Sequence, residues 1–344
     1  VKSSEENPID LVQPFQLETG SFRGRLVRLG PALDLILHQH AYPDAVGGLL
    51  GEAMVMAAAL GTALKYEGVF TLQVKGDGPV KMLVADVTHD GGIRAYAQYG
   101  ADDVKAQTAK ANLRVVTPEG TLKASPGFND SKLLGKGYLA FTCMLAGGKS
   151  GEDRYQGIVE LEGGSLAEAV QHYFRQSEQL PTGIVAAARR DEHGRWQGGC
   201  LMLQQMPRTG GHSTRSVFAH DDDDGEGGDL ALNDTAIGDS WHRAMLLMGT
   251  CTHEELTDPN LPPLDLLYRL FHEEGVRVFE PHSFRHQCRC SESRVAAMLG
   301  SLPRHEVEDL AIDGVVDVTC EFCNKNYKFD ATQRAALFQQ ANDN

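Results

Sequence analysis

Cys288 and Cys290 form a C-x-C pair, 29 residues follow, and Cys320 and Cys323 then form a C-x-x-C pair. Two cysteines so close together can present both sulfurs from one turn. Four thiolates in two such pairs can converge on one tetrahedral zinc ion, whose borderline-soft character suits sulfur. A single C-x-x-C carries little information. Two pairs within 36 positions point to a metal site with Cys288, Cys290, Cys320 and Cys323 as ligands to one zinc ion. His282, His286 and His305 lie nearby; with four cysteines present they are expected to be surface residues.

Such a site has two uses. A module of about 60 residues seldom buries a sufficient core unaided, and structural zinc contributes ~10–16 kcal/mol in small peptides, so the ion can be a static staple. It can also be conditional. Zinc here ties together residues about 30 positions apart, and losing that constraint would cost such a module its fold. An oxidised C-x-C closes a very small, strained and easily reduced ring. Both readings stay open on the residues alone.

The elements that must position the cysteines follow from periodicity and turn chemistry. Around them, Glu292–Leu299 and Arg304–Leu310 read as short helices, and Val315–Thr319 as a strand delivering Cys320. Upstream, residues 22–29 read as a first strand. A long helix is expected from Pro43 or Asp44 to about Tyr66, with Val46, Leu49, Leu50, Ala53, Met54, Ala57 and Leu60 at three- and four-residue steps and Gly68 as its stop. Strands follow at 69–75 and 80–86, joined by Gly76-Asp77-Gly78-Pro79, a turn expected to use positive φ angles. Further strands are expected at 93–99, 137–144, 155–160, 183–190 and 198–204, with a helix over 165–177. Residues 208–229 include a stretch, 221–229, with six acidic residues and three glycines. Such composition predicts a disordered linker, since it cannot bury enough apolar surface to offset its ordering entropy. Two amphipathic helices are expected after it. One is capped by Asp239 or Ser240 and carries Trp241, Ala244, Met245 and Met248; the other runs 264–274 with Leu267, Leu270 and Phe271 on one face.

The expected fold class is α+β: a sheet-rich N-terminal domain with one long helix (1–207), a linker (208–281) and a small zinc-binding module (282–344). The 344 residues are 42% hydrophobic and 23% charged, an ordinary globular composition. The net charge of −15, from 47 acidic and 32 basic residues, argues against broad attraction to nucleic acid or anionic membrane. No basic start followed by an apolar run opens the chain, and Ala53–Leu64 is shorter than the roughly 20 residues a membrane span needs. The expectation is a cytoplasmic protein, in which seven cysteines are not a disulfide framework.

FRHQCRCS and VTCEFCNKNYKFD, around the two cysteine pairs, resemble the C-terminal module of the heat-shock protein 33 family, redox-regulated bacterial chaperones. LLGEAMVMAAALGTALKYEGVFTLQVKGDGPVKMLVAD and YFRQSEQLPTGI are similar to that family's N-terminal domain, and DLLYRLFHEEGVRVFEP to the segment leading into the zinc module. The resemblance implies a reduced, zinc-bound, inactive form. It implies that oxidation releases the zinc, forms Cys288–Cys290 and Cys320–Cys323 disulfides and loosens the linker. The active form is then expected to be an ATP-independent holdase for unfolding clients under oxidative and heat stress, and a homodimer. Residues 208–229 depart from the family by their length, which bears on how firmly the linker docks.

Competing chemistry finds less support. GGKS at 147–150 lacks the first glycine of a phosphate loop, whose place Cys143 occupies. No nucleophile elbow or H-E-x-x-H helix is present, so no enzyme activity is expected. A nucleic-acid module should be basic, yet residues 282–344 hold seven Lys or Arg and nine Asp or Glu, a net of −2. A thiol oxidoreductase needs a βαβ setting around Cys320 and Cys323 that the pattern lacks. Cys143 and Cys200 read as core residues, and Cys251 as exposed and oxidisable.

Overall fold

The computed structural model describes residues 9–20, 22–64, 66–111, 130–145, 154–161, 164–206 and 234–340. The acidic stretch 208–229 and the GGKS segment lie outside these residues. The chain divides into two compact units, Val1–His286 and Gln287–Asn344.

In chain order the first unit runs β1 (Leu11–Leu17), β2 (Phe22–Leu29), α1 (Pro31–His38), α2 (Asp44–Gly61), β3 (Gly68–Gly76), β4 (Val80–Thr88) and β5 (Gly92–Tyr99). It continues with α3 (Ala101–Ala111), α4 (Asp130–Leu134), β6 (Gly137–Leu145), β7 (Arg154–Leu161) and α5 (Leu166–Tyr173). After a π-helical turn come β8 (Thr182–Arg190), β9 (Trp196–Gln205), α6 (Asp234–Gly249), α7 (His253–Thr257) and α8 (Pro263–Phe271). Three short strands, β10 (Val276–Val278), β11 (His282–Ser283) and β12 (Arg285–His286), close the unit. Among the described residues there are two six-stranded sheets. One has the order β10-β1-β2-β9-β8 with β11 also on β1; the other has the order β12-β5-β4-β3-β6-β7. The class is α+β.

The two sheets enclose α2. Its residues are apolar on every side, as a fully buried helix requires, and all but Asp44 and Glu52 are buried. Val27, Leu29, Cys200 and Met202 of the first sheet and Phe70, Leu72 and Phe141 of the second share its core. A Cβ on Gly47 would stand 2.5 Å from the Trp196 ring, and one on Gly51 2.5 Å from the Ala188 Cβ, so the glycines set the close approach of helix to sheet. This helix is long and apolar enough to cross a membrane by composition, but the core covers it.

Several expectations change. The helix ends at Gly61 rather than near Tyr66, where the Thr62 hydroxyl donates back to the Ala58 carbonyl (2.8 Å). Gly68 instead opens β3. Gly76 and Gly78 are not among the positive-φ residues. They are small because the backbone of α4 crosses them: a Cβ would lie 2.1 Å from the Leu134 carbonyl oxygen at Gly76 and 2.5 Å from that of Leu133 at Gly78. The helix expected over 165–177 is α-helical only to Tyr173 and continues as the π turn.

Strand β1 escapes the sequence pattern because Pro14 interrupts it. Phe279 N–H donates to the Pro14 carbonyl, so the proline's nitrogen also faces the β10–β11 side. The Phe279 carbonyl opposite, which a backbone N–H at position 14 would serve, takes the Gln13 side-chain amide instead (2.6 Å), so the lost ladder bond leaves no acceptor unsatisfied.

Helices α6, α7 and α8 pack on the face of the first sheet opposite α2. Phe15, Leu17, Phe22, Leu26, Leu201 and Leu203 of the strands meet Ala244, Met248, Leu256, Leu267, Leu270 and Phe271 of the helices. All twelve are buried. The first of these helices begins at Asp234, so Asp239 and Ser240 lie inside it instead of capping it. The apolar stripe that marks it in sequence starts only at Trp241. Helix α7 is an addition, and Thr252 and Glu255 cap it reciprocally.

The second unit holds α9 (Glu292–Gly300), α10 (Arg304–Asp309), β13 (Val316–Thr319), β14 (Asn326–Phe329) and α11 (Ala331–Gln340). Its core centres on Leu299, Val307, Val316, Tyr327 and Phe329. The Arg334 side chain, buried, donates to the Gly314 carbonyl (2.7 Å) and the Phe329 carbonyl (3.1 Å) and pairs with Glu308 (3.0 Å). Five side chains are a small core, and a module of this size calls for another constraint.

Candidate metal centre

The two cysteine pairs reach one point by different local devices. Cys288 and Cys290 lie on the segment that leads into α9, whose start is capped by the Ser291 hydroxyl accepting from Arg294 N–H (3.2 Å). Cys320 and Cys323 lie in the turn between β13 and β14. There Asn324 N–H donates to the Cys320 carbonyl (2.8 Å) and Cys320 N–H to the Lys325 carbonyl (2.9 Å). Asn324 takes a φ of 57°, a left-handed conformation that asparagine tolerates. The register Thr319↔Asn326 and Val318↔Tyr327 fixes both ends of the turn.

The four sulfurs lie within 4.8 Å of one another. Cys288 Sγ is 3.4 Å from Cys290 Sγ and 3.7 Å from Cys320 Sγ, and Cys290 Sγ is 3.4 Å from Cys323 Sγ. All four are free thiols. Zinc–sulfur bonds of ~2.3 Å to a tetrahedral ion imply sulfur–sulfur edges of about 3.8 Å, so this set fits one such ion. All four residues singled out from the sequence are therefore brought together. His282 and His305 are exposed and His286 is half-buried; none of them belongs to the cluster.

The cluster has its own electrostatics. Burial raises the Cys288 and Cys323 thiols above their ordinary range. Burial acts in the same direction on Cys290, but hydrogen bonds from the Tyr327 hydroxyl and the neighbouring thiols outweigh it and bring Cys290 down to about 7. The Tyr327 hydroxyl donates to Cys290 Sγ at 3.1 Å. A metal ion requires these thiols as thiolates, and the hydrogen bond from the Tyr327 hydroxyl favours that form at Cys290.

Other long-range contacts sit where the helices meet the first sheet. Arg28 of β2, buried, donates to the carbonyls of Glu255 (2.8 Å), Asp258 (2.8 Å) and Leu261 (3.4 Å). Arg243 of α6 pairs with the buried Glu274, with Nη2 to Oε2 at 2.9 Å, and the Thr19 hydroxyl donates to the same carboxylate. A Cβ on Gly199 would lie 2.1 Å from the Leu256 carbonyl oxygen, so α7 rests directly on the backbone of β9. No sequence pattern marks Arg28, Glu274 or Gly199; for α7 the Thr252-x-x-Glu255 signature is present. Cys143 and Cys200 are core residues. Cys251, expected to be exposed, is buried beneath the docked helices, which pushes its thiol up to about 11.

A family model described as Hsp33 protein matches residues 10–330. The chain is 37% identical to the 33 kDa chaperonin of Caulobacter vibrioides over 93% of this chain and 95% of that one. It is 35% identical to the 33 kDa chaperonin of Nitrosococcus oceani over 97% and 96%. The solved structure of the 33 kDa chaperonin (heat shock protein 33 homolog) of Thermotoga maritima superposes with a TM-score of 0.71 at 21% identity, covering 97% of this chain and 99% of that one. That last likeness speaks for the fold. A family model spanning nearly the whole chain, with relatives above 30% identity along almost their full length, shows that this chain belongs to the Hsp33 family.

Proposed function

We propose that the chain is a redox-regulated, ATP-independent holdase that keeps unfolding proteins from aggregating during oxidative and heat stress. The observation that carries this reading is the apolar face of the first sheet, built from Phe15, Leu17, Phe22, Leu26, Leu201 and Leu203 and covered by α6–α8. An apolar face that size, once uncovered, is a surface for unfolded chains. The covering helices precede the thiol module directly: α8 leads through β10, β11 and β12 to His286, and Cys288 stands two positions on.

Cys288, Cys290, Cys320 and Cys323 would hold one zinc ion in the reduced chain, and the ion would supply the tertiary constraint that the small core lacks. An oxidant such as peroxide takes two electrons from each pair of thiolates. Cys288 Sγ then bonds to Cys290 Sγ, and Cys320 Sγ to Cys323 Sγ. A disulfide sulfur no longer offers the charge that binds zinc, so two local links replace one long-range constraint and the module unfolds. With the module unfolded, α6–α8 are released from the sheet and the apolar face opens.

The functional parts in this reading are a client-binding domain (1–207), a linker (208–281) and a redox module (282–344). The protein is not an enzyme, works in the cytoplasm, binds unfolding clients as a homodimer when active, and uses neither nucleic acid nor membrane. The test measures zinc content and suppression of a model protein's aggregation in reduced and peroxide-treated samples. Zinc loss together with gain of suppression supports the reading; suppression independent of thiol state sinks it.

A further inference from the structure

We propose that Tyr327 is a positioning residue that shields the Cys290 sulfur from oxidants, setting its reactivity apart from that of the other three thiols. The inference rests on the four sulfurs being a redox-responsive zinc site.

Tyr327 is held firmly enough for the task. It lies on β14 opposite Val318, and its ring is buried in the module's core with Leu299, Val307, Val316 and Phe329. Lys325 Nζ sits 5.1 Å from the ring centroid. From this seat the hydroxyl reaches Cys290 Sγ at 3.1 Å, bridging 37 positions of chain. Two other sulfurs have backbone donors instead: the N–H of Cys290 serves Cys288, and that of Lys325 serves Cys323. Cys290 is thus the thiol whose donor is a side chain and can be changed by substitution.

Peroxide oxidation begins with a sulfur lone pair attacking one peroxide oxygen. The O–O bond breaks, hydroxide leaves, and the sulfur, two electrons poorer, carries the new oxygen as a sulfenic acid. A neighbouring thiolate then attacks that sulfur and displaces hydroxide to form the disulfide. A hydroxyl donating to the sulfur engages the lone pair that must attack. The bond stabilises the resting thiolate more than the state in which its electrons move to oxygen, so the first step slows. The tyrosine keeps its proton throughout. Partners beyond the ligands tune a metal site in this manner.

The test uses the reduced, zinc-loaded full chain, exposed briefly to peroxide and then trapped with an alkylating agent, so that peptide mass spectrometry gives a rate for each cysteine. Tyr327→Phe removes only the hydroxyl. The expected result is a rise in the Cys290 rate relative to Cys323 of roughly 2- to 10-fold, the worth of one hydrogen bond, with zinc stoichiometry and circular dichroism unchanged. A purely structural tyrosine would raise all four rates together; that outcome, or an unchanged ratio, overturns the proposal. If the phenylalanine variant does not fold, 3-fluorotyrosine at position 327, a stronger donor, should slow Cys290, and an unchanged ratio again overturns it. A wild-type chain that binds no zinc contradicts the functional reading and this inference with it. Normal zinc loss on oxidation with an unchanged ratio removes only the role of Tyr327.

Discussion

Arg28 donates to the backbone carbonyl of Asp258 at 2.8 Å, joining a strand of the first sheet to the turn between α7 and α8 across 230 positions of chain. The same guanidinium holds the carbonyls of Glu255 and Leu261. Burial lowers its pKa to about 10, so it stays charged at neutral pH and the clamp is charge-assisted.

Replacing Arg28 by methionine keeps the apolar stem and strands three carbonyls without a donor. The cost is about 1–3 kcal/mol of docking free energy. The reduced Arg28→Met chain should therefore suppress aggregation without an oxidant and should be cleaved in 250–262 by a protease that spares the wild type. An aggregation assay in reducing buffer with full zinc content reads this directly.

Gly199 gives a second handle, remote from the thiols. Gly199→Ala places a methyl group where the Leu256 carbonyl sits, so α7 must lift off. Overpacking of this kind costs about 1–3 kcal/mol. Amide exchange across His253–Thr257 should speed up while zinc stoichiometry stays at one ion. Unchanged exchange there would mean that α7 contributes nothing to covering the sheet.

Acid should loosen the same helices through Glu274. Its hydrogen bond from Arg243 holds the carboxyl below its ordinary value of 4.5, against the opposing effect of burial. A depressed folded pKa contributes stability that is fully present above about pH 4.5 and is lost as pH falls through the folded value. Protection of α6 from exchange should fall below that pH in the wild type. In Glu274→Gln the pH-dependent component should vanish, with weaker docking at pH 7.

Chelation under reducing conditions separates the metal from the disulfides. Structural zinc contributes ~10–16 kcal/mol in small peptides, so on the proposed reading chelation should unfold 287–344, seen as a loss of circular dichroism that added zinc restores. A module that keeps its fold without metal would show that its small core suffices.

The parts legible in the sequence are those whose signal is local. The four cysteines stand out because metal ligands come in closely spaced pairs, and α2 because its apolar residues recur at three- and four-residue steps. Long-range partners leave no such trace. Arg28 lies 227 positions from Glu255 and Tyr327 lies 37 from Cys290, and nothing in either neighbourhood announces the contact. Pro14 conceals β1 because its missing N–H reads as a break, and the Gln13 side chain, donating to the Phe279 carbonyl opposite, makes it harmless. Gly76 and Gly78 read as turn glycines, yet the crossing backbone of α4 is what keeps them small. Cys251 reads as exposed because it follows an amphipathic helix and its burial depends on the sheet beneath.

The central claim is that the thiol state governs the cover over the first sheet. Its most direct test is hydrogen exchange, residue by residue, on zinc-loaded reduced chain and on oxidised, zinc-free chain. The account predicts that oxidation speeds exchange in α6, α7 and α8 and exposes the amides of β1 and β2, while α2 and β3–β7 stay protected. Oxidised chain that holds clients while α6–α8 remain as protected as in the reduced form would contradict it.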